Sequence, residues 1–384
     1  IDLYFKRNVM IYLDYSANTP VDARVLEQFC AVERRCIGNA NSHHQAGSAA
    51  KAEIDAATIK IASLLGVQPA EIIYTSGASE ANNFALKGLA RLSRHAGRHI
   101  ISTPLEHSSV SGTLTALQEQ GYEIDLLDVK QDGTVDLEHL KDLLRPDTIC
   151  VAITLVDSEL GVVQPVQEIA TILKAYPHCH LHVDATQAVG KIPISFEGVD
   201  TMSLTAHKFY GLNGIGLLIK RRNLALEPLI HGGESTTIYR SGTPTVALAS
   251  SLACALDFAV TDLPGRVDHV AKLNAELRAA LSTYPLVRIN SLEHAIPHVL
   301  NLSVRNVKGT VFQRELDAKG VCVSVKSACS SDGLPSRAVF AVSRDRRNAL
   351  SSWRISLSHL TTEDEIKAFL QAFDVCYREL TAVH

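Results

Sequence analysis

Apolar positions along this chain recur in two rhythms that take turns. In SAAKAEIDAATIKIASLL (48–65) they return at helical spacing. This puts Ile54, Ile61 and Leu65 on one face, with Gly66 as the stop. Elsewhere they gather in short, mostly apolar stretches: EIIYTSG (71–77), HIISTPLEH (99–107), TICVAITLV (148–156), LHVDA (181–185) and GIGLLIKR (214–221). Such runs between turn residues predict buried strands. Helices are predicted between several of them, over 79–94, 108–120 and 164–176. Strand and helix in alternation predict a largely parallel sheet covered on both faces.

The rhythm changes near residue 260. Long helical stretches (265–283, 362–380) then alternate with the short strands HVLNLSV (298–304) and VCVSV (321–325). The expected architecture is α/β: a large domain over 11–258 and a smaller α+β domain over 259–384. The extreme N-terminus is expected to pack with the small domain.

With 46% hydrophobic and 20% charged residues, the 384-residue chain can build a sizeable core. A net charge of −4 gives no electrostatic case for nucleic-acid binding. No run of about 18 apolar residues occurs, so no membrane span is expected. Residues 1–9 precede Met10 and lack the apolar stretch of a signal peptide. Met10 is read as the native start, and residues 1–9, read as a leader or appended remnant, are left out of site reasoning. Eight cysteines without a regular framework read as reduced, cytoplasmic usage, most of them as small buried hydrophobes.

Chemistry collects where strands end, the place where open α/β sheets bind ligands. YTSGASEANN (74–83) runs from a strand through a glycine turn into a helix start. Free N–H groups there, with the Ser76 and Ser79 hydroxyls, would suit an anion such as phosphate, although an ordinary helix cap satisfies the same pattern. No Walker loop and no G-x-G-x-x-G occurs. LEH ends a strand at His107, which by itself reads as structural. LVDSELG brings Asp157, Ser158 and Glu159. HVDATQ ends on Asp184, with Gln187 three positions on. A carboxylate closing an apolar strand needs a partner, unless it caps the next helix. Last comes Lys208, the one formal charge in TMSLTAHKFYGLNGIGLLI (201–219), preceded by Thr205 and His207.

An anion cradle, a histidine, a buried aspartate and an isolated lysine form the set that pyridoxal 5'-phosphate requires. It needs a lysine for its carbonyl, an aspartate for its ring nitrogen and a cup for its phosphate. Apolar surroundings also lower a lysine's pKa. A second reactive spot is Cys329 in SVKSACSSDGLPSR (324–337), where Lys326 would favour the thiolate. An unreactive exposed cysteine fits those residues equally well. HCHLH (178–182) offers His178, Cys179, His180 and His182, but it enters a strand whose alternate side chains face opposite ways. It reads as structural, and no metal is expected. SRDRRN (343–348) reads as a solvated surface segment.

The ordered set resembles the NifS/IscS-type cysteine desulfurases, pyridoxal phosphate enzymes of fold type I in the class V aminotransferase group. From about residue 11 to about residue 375, YLDYSANTPVD, TSGASEANN, EHSSV, HVDATQAVGK, HKFYG followed by GIG, RSGT, SAC and SSWRISL fall in the family's order and spacing. The resemblance implies that Lys208 holds the cofactor covalently and that His107 stacks on the ring and helps move protons. Asp184 would keep the ring nitrogen protonated, and Gln187 would contact the phenolic oxygen. Ala78, Ser79, Thr205 and His207 would bind the phosphate. Thr243 would reach the phosphate of a neighbouring subunit, which implies a homodimer. Arg354 would pair with the substrate carboxylate. The activity implied is conversion of L-cysteine to L-alanine, with a persulfide left on Cys329. Its sulfur would pass to an acceptor protein, an iron–sulfur scaffold or a tRNA-thiolation enzyme.

Three departures from the family pattern bear on substrate handling and partner choice. Asp157-Ser158-Glu159-Leu160-Gly161 stands where Asn-Asn-Glu-Ile-Gly is common, so the shorter Ser158 takes a position whose amide usually touches cofactor and substrate. HGGESTTIYRSGT (231–243) differs in its middle, and Lys326 replaces a usual glycine. Two other readings compete: a selenocysteine lyase-type enzyme that does not need Cys329, and a non-catalytic scaffold that binds pyridoxal phosphate.

Overall fold

Chain order and spatial order part at the first strand. The computed structural model describes residues 10–326 and 334–382. Residues 1–9 and the segment holding Cys329 lie outside the described residues. Strand β1 (Ile11–Tyr12) is followed by β2 (Ile72–Thr75), β3 (His99–Ser102), β4 (Glu123–Leu126), β5 (Thr148–Thr154), β6 (His180–Asp184), β7 (Thr201–Thr205) and β8 (Gly216–Lys220). Then come β9 (Val287–Ile289), β10 (Val299–Val304), β11 (Val321–Cys322) and β12 (Ser352–Ser356).

Strands β2 to β8 form one sheet in the order β2-β8-β7-β6-β5-β3-β4. Strands β3 to β7 pair in parallel, and β8 runs antiparallel to both its neighbours. The sheet is mainly parallel, as its apolar runs predict. Strand alternation feeds two apolar layers: Ile101, Ile153, Val183 and Leu204 face one, while Ile73, Ile100, Ala152 and Leu218 face the other. The helix Gln45–Leu65 buries Ile54, Ile61 and Leu65, and Gly66 ends it in the left-handed region at φ 67°.

Strand β10 pairs antiparallel with β9 and β12 in a second sheet, and β1 pairs in parallel with β11. Ile11 and Leu13 join the apolar core behind these strands, together with Phe312, Trp353 and Phe373. Several boundaries differ from the sequence expectation. The run 99–107 leaves the sheet after Ser102, because Thr103 Oγ1 turns back to accept the Leu105 N–H. The run 321–325 shrinks to two residues, and Ser324 instead bridges Arg354. The periodicity did not reveal β4, β9, β12, or the helices Ala23–Arg35 and Val246–Thr261. Val246–Thr261 is apolar nearly all round and packs against both Ala23–Arg35 and Gln45–Leu65. No single described helix is long and apolar enough to cross a membrane.

Candidate active site

The carboxyl ends of the parallel strands, with the loops that follow them, open on a cavity of about 360 Å³. Small-molecule sites run from about 300 to 1,000 Å³. Ten residues expected from the sequence line it: Ala78, Ser79, His107, Ser158, Asp184, Gln187, Thr205, His207, Lys208 and Arg354. Thr243 lies on an exposed stretch outside the cavity. Cys329 falls outside the described residues.

One end of the cavity suits an anion. The helix Ala78–Leu92 begins at Gly77 with no side-chain cap, so its first-turn N–H groups have no intrahelical acceptor. The Ser76 N–H does not belong to this cradle, because the Glu80 carboxylate accepts it at 2.8 Å. Glu80 also takes the Arg240 guanidinium at 3.0 Å. Gly216 of β8 approaches the turn so closely that a Cβ there would lie 2.7 Å from the Gly77 Cα. At the end of β7, Thr205 Oγ1 lies 3.1 Å from His207 Nδ1. Burial and the neighbouring Lys208 charge hold the His207 pKa down at about 4. The Thr186 hydroxyl lines the same cavity, buried and without a hydrogen-bond partner among the described residues.

Lys208 stands on a single turn, Ala206–Lys208, directly after β7. Its Nζ donates to the carbonyls of Ser16 (2.7 Å) and Ala17 (2.6 Å). Gln187 donates its Nε2 to the same Ser16 carbonyl at 2.9 Å, and its Oε1 accepts from Lys191 Nζ at 2.5 Å. Lys191 is buried, with no carboxylate beside it among the described residues. Burial, followed by the charges of Lys208 and Arg354, pushes its amine down to about 7.

Asp184, at the end of β6, accepts the Thr186 N–H at 2.9 Å and the Asn82 side-chain N–H at 2.8 Å. His107 caps the helix Ser108–Gln118, its Nδ1 accepting the Ser109 N–H at 3.2 Å. Burial holds its imidazole below the usual range. Three carboxyl groups nearby are driven up by burial: Glu106 to about 8, Asp157 to about 7, and Glu159 above its ordinary value.

Arg354 of β12 also lines the cavity, at 1% exposure. Its Nη2 pairs with Asp14 at 2.9 Å and its Nη1 donates to the Ser158 carbonyl at 2.8 Å. Asp14 also accepts the Ser324 hydroxyl. The Arg354 Nε is buried without a partner among the described residues. A carboxylate entering here meets a guanidinium already oriented from behind.

Sequence reasoning gave no site role to Asp14, Asn82 or Lys191, and it read His182 as structural, in line with its bonds to Thr201 and Asn82. Only Lys191 left a local signal, four residues beyond Gln187. The chemistry of the set fits pyridoxal 5'-phosphate: an amine, a carboxylate, an uncapped helix start at a glycine turn, and a buried hydroxyl without a partner.

The sequence profile of the aminotransferase class-V family matches residues 11–369. The chain is 40% identical over 365 residues to the cysteine desulfurase IscS of Proteus mirabilis, covering 93% of this chain and 90% of that one. Its fold superposes on a NifS-like protein with a TM-score of 0.91 and 35% identity, covering 97% of this chain and all of that one. A second structure, SspA in complex with cysteine, gives a TM-score of 0.80 and 31% identity over 91% of this chain and 99% of that one.

Proposed function

This chain belongs to the class-V aminotransferase family and, within it, to the NifS/IscS-type cysteine desulfurases, and from that we propose how its residues remove sulfur from L-cysteine. The observation that carries the reading is the convergence of Lys208, Asp184, Arg354 and an uncapped helix start around one cavity.

The resident cofactor is pyridoxal 5'-phosphate, held by Lys208 at its carbonyl, Asp184 at its ring nitrogen, Gln187 at its phenolic oxygen and the Ala78–Ser79 turn with Thr205 and His207 at its phosphate. Bound there, it supplies an electron sink for charge that develops at the substrate α-carbon. Arg354 orients the substrate carboxylate and Ser158 lies beside it. Once the substrate's amino group has released it, the Lys208 amine, set by the Ser16 and Ala17 carbonyls, would take the α-proton. The Cys329 thiolate attacks the substrate sulfur. A sulfur–sulfur bond forms, the carbon–sulfur bond breaks with its electron pair on the carbon fragment, and a proton delivered to that carbon completes L-alanine. Cysteine plus enzyme thiol therefore gives alanine plus enzyme persulfide, with no external oxidant or reductant. The persulfide sulfur then passes to an acceptor protein. Thr243 reaches the cavity of a neighbouring copy, which makes a homodimer the working unit.

The test is alanine and sulfide release from L-cysteine with a thiol reductant, for wild type and Cys329→Ala together. Equal amounts of both products from wild type and neither from the variant are expected. Equal activity in the two proteins would remove Cys329 from the reaction and favour a lyase.

A further inference from the structure

The polar face of β6 and β7 carries a hydrogen-bonded chain whose inner members, Asn82 and His182, the proposed reaction does not use. Alternation along β6 sends Leu181 and Val183 into one apolar layer and leaves His182 and Asp184 on the other face. Strand β7 repeats this, with Met202 and Leu204 opposite Thr201, Ser203 and Thr205. The helix Ala78–Leu92 packs against both strands and contributes Asn82, which is 0% exposed. All four hydrogen-bonding positions of that amide are filled. Its Nδ2 donates to Asp184 Oδ2 at 2.8 Å and to Ser109 Oγ at 2.9 Å. Its Oδ1 accepts from Ser203 Oγ and lies 3.0 Å from His182 Nε2.

The directions of these bonds are forced. An ionised carboxylate only accepts, so the amide nitrogen must face Asp184 and the amide oxygen must face His182. His182 then donates from Nε2 and accepts from the Thr201 hydroxyl at Nδ1, 2.9 Å away. On the other side, Ser109 Oγ accepts from Asn82 and lies 2.9 Å from His107 Nδ1, to which it donates its one proton because the backbone also donates there. That nitrogen also accepts the Ser109 backbone N–H. His107 Nδ1 therefore carries no proton, and the neutral ring carries its proton on Nε2.

We propose that Asn82 is a positioning residue with two arms: directly, it holds Asp184 as the ionised partner of the cofactor ring nitrogen, and through Ser109 it fixes the His107 tautomer. Nε2 is then the one nitrogen through which His107 exchanges a proton. The first arm rests on the pyridoxal phosphate reading above, and the second stands on the protein alone.

Three measurements test it. In wild-type protein labelled at its imidazole nitrogens, NMR should show His107 with a bare Nδ1 and a protonated Nε2, with and without pyridoxal 5'-phosphate. A proton on Nδ1 overturns the proposal, even if the cofactor never binds. In Asn82→Asp the amide donor is lost and a second carboxylate faces Asp184. The dissociation constant for pyridoxal 5'-phosphate should rise about tenfold or more. The pH at which the loaded protein's visible band changes should move by about one unit. Values within about twofold, with an unmoved titration, overturn the Asp184 arm. Ser109→Ala keeps the Asn82–Asp184 bond, so cofactor affinity should stay within about twofold while the His107 signals and the pH profile of alanine formation shift. Unchanged His107 signals overturn the second arm.

Discussion

Lys191 holds an amine in a place that disfavours its charge: 6% exposed, hydrogen-bonded to one amide oxygen, with no carboxylate beside it among the described residues. Its contact fixes the Gln187 amide so that the nitrogen, not the oxygen, meets the Ser16 carbonyl. The second proton of that nitrogen is left to serve an oxygen in the cavity. The arrangement has a pH signature. The folded pKa of about 7 lies below the ordinary lysine value of 10.5, so the unfolded chain binds more protons between those limits. Lys191 thus destabilises the fold most below about pH 7, and the penalty fades as pH rises from there toward 10.5. Lys191→Met should gain thermal stability relative to wild type near about pH 6, and the gain should shrink near about pH 9. A gap that stays constant or widens with pH, followed by calorimetry, would contradict the burial argument.

At the scale of elements, the cradle depends on how closely β8 approaches the turn before the helix Ala78–Leu92. A methyl on Gly216 would sit 2.6 Å from the Leu204 carbonyl oxygen and 2.7 Å from the Gly77 Cα, both backbone atoms that cannot swing aside. Gly216→Ala should cost about 1–3 kcal/mol of stability as overpacking. It should also weaken pyridoxal 5'-phosphate binding, because relief requires the Gly77 turn to move. A denaturant melt and a cofactor titration that both match wild type would refute this. Elements with a mainly apolar run were legible in the sequence, since β5 and β8 are buried along their whole length. Strand β12 was not, because SWRIS alternates polar with apolar residues, yet all five are buried, Trp353 and Ile355 in the apolar core and Ser352, Arg354 and Ser356 on polar partners. The same limit hid the pairing of Asn82 with His182 and Asp184. Their partners lie about a hundred positions away along the chain, and the crossing of helix Ala78–Leu92 over β6 brings them together.

For the molecule as a whole, residues 11–19 act as a strap between two cores. Ile11 and Leu13 are packed in the core behind β10 and β12, Asp14 grips Arg354 and Ser324, and the Ser16 carbonyl takes both Lys208 and Gln187. Thr19 then bonds the His207 carbonyl beside the large sheet. The separation between the guanidinium that meets a substrate carboxylate and the amine that meets its α-proton is therefore set by a few residues of backbone. The family order of motifs made Lys208, Asp184 and Arg354 legible together. The strap was not, because its work is done by main-chain carbonyls that any sequence carries. The central claim is that these groups present L-cysteine to Cys329, and peptide mass mapping tests it most directly. The loaded protein is given one equivalent of L-cysteine without reductant or acceptor and then digested. The account predicts one added sulfur atom on the peptide containing Cys329, matched by one alanine released. Alanine formed while that peptide stays unmodified would contradict it.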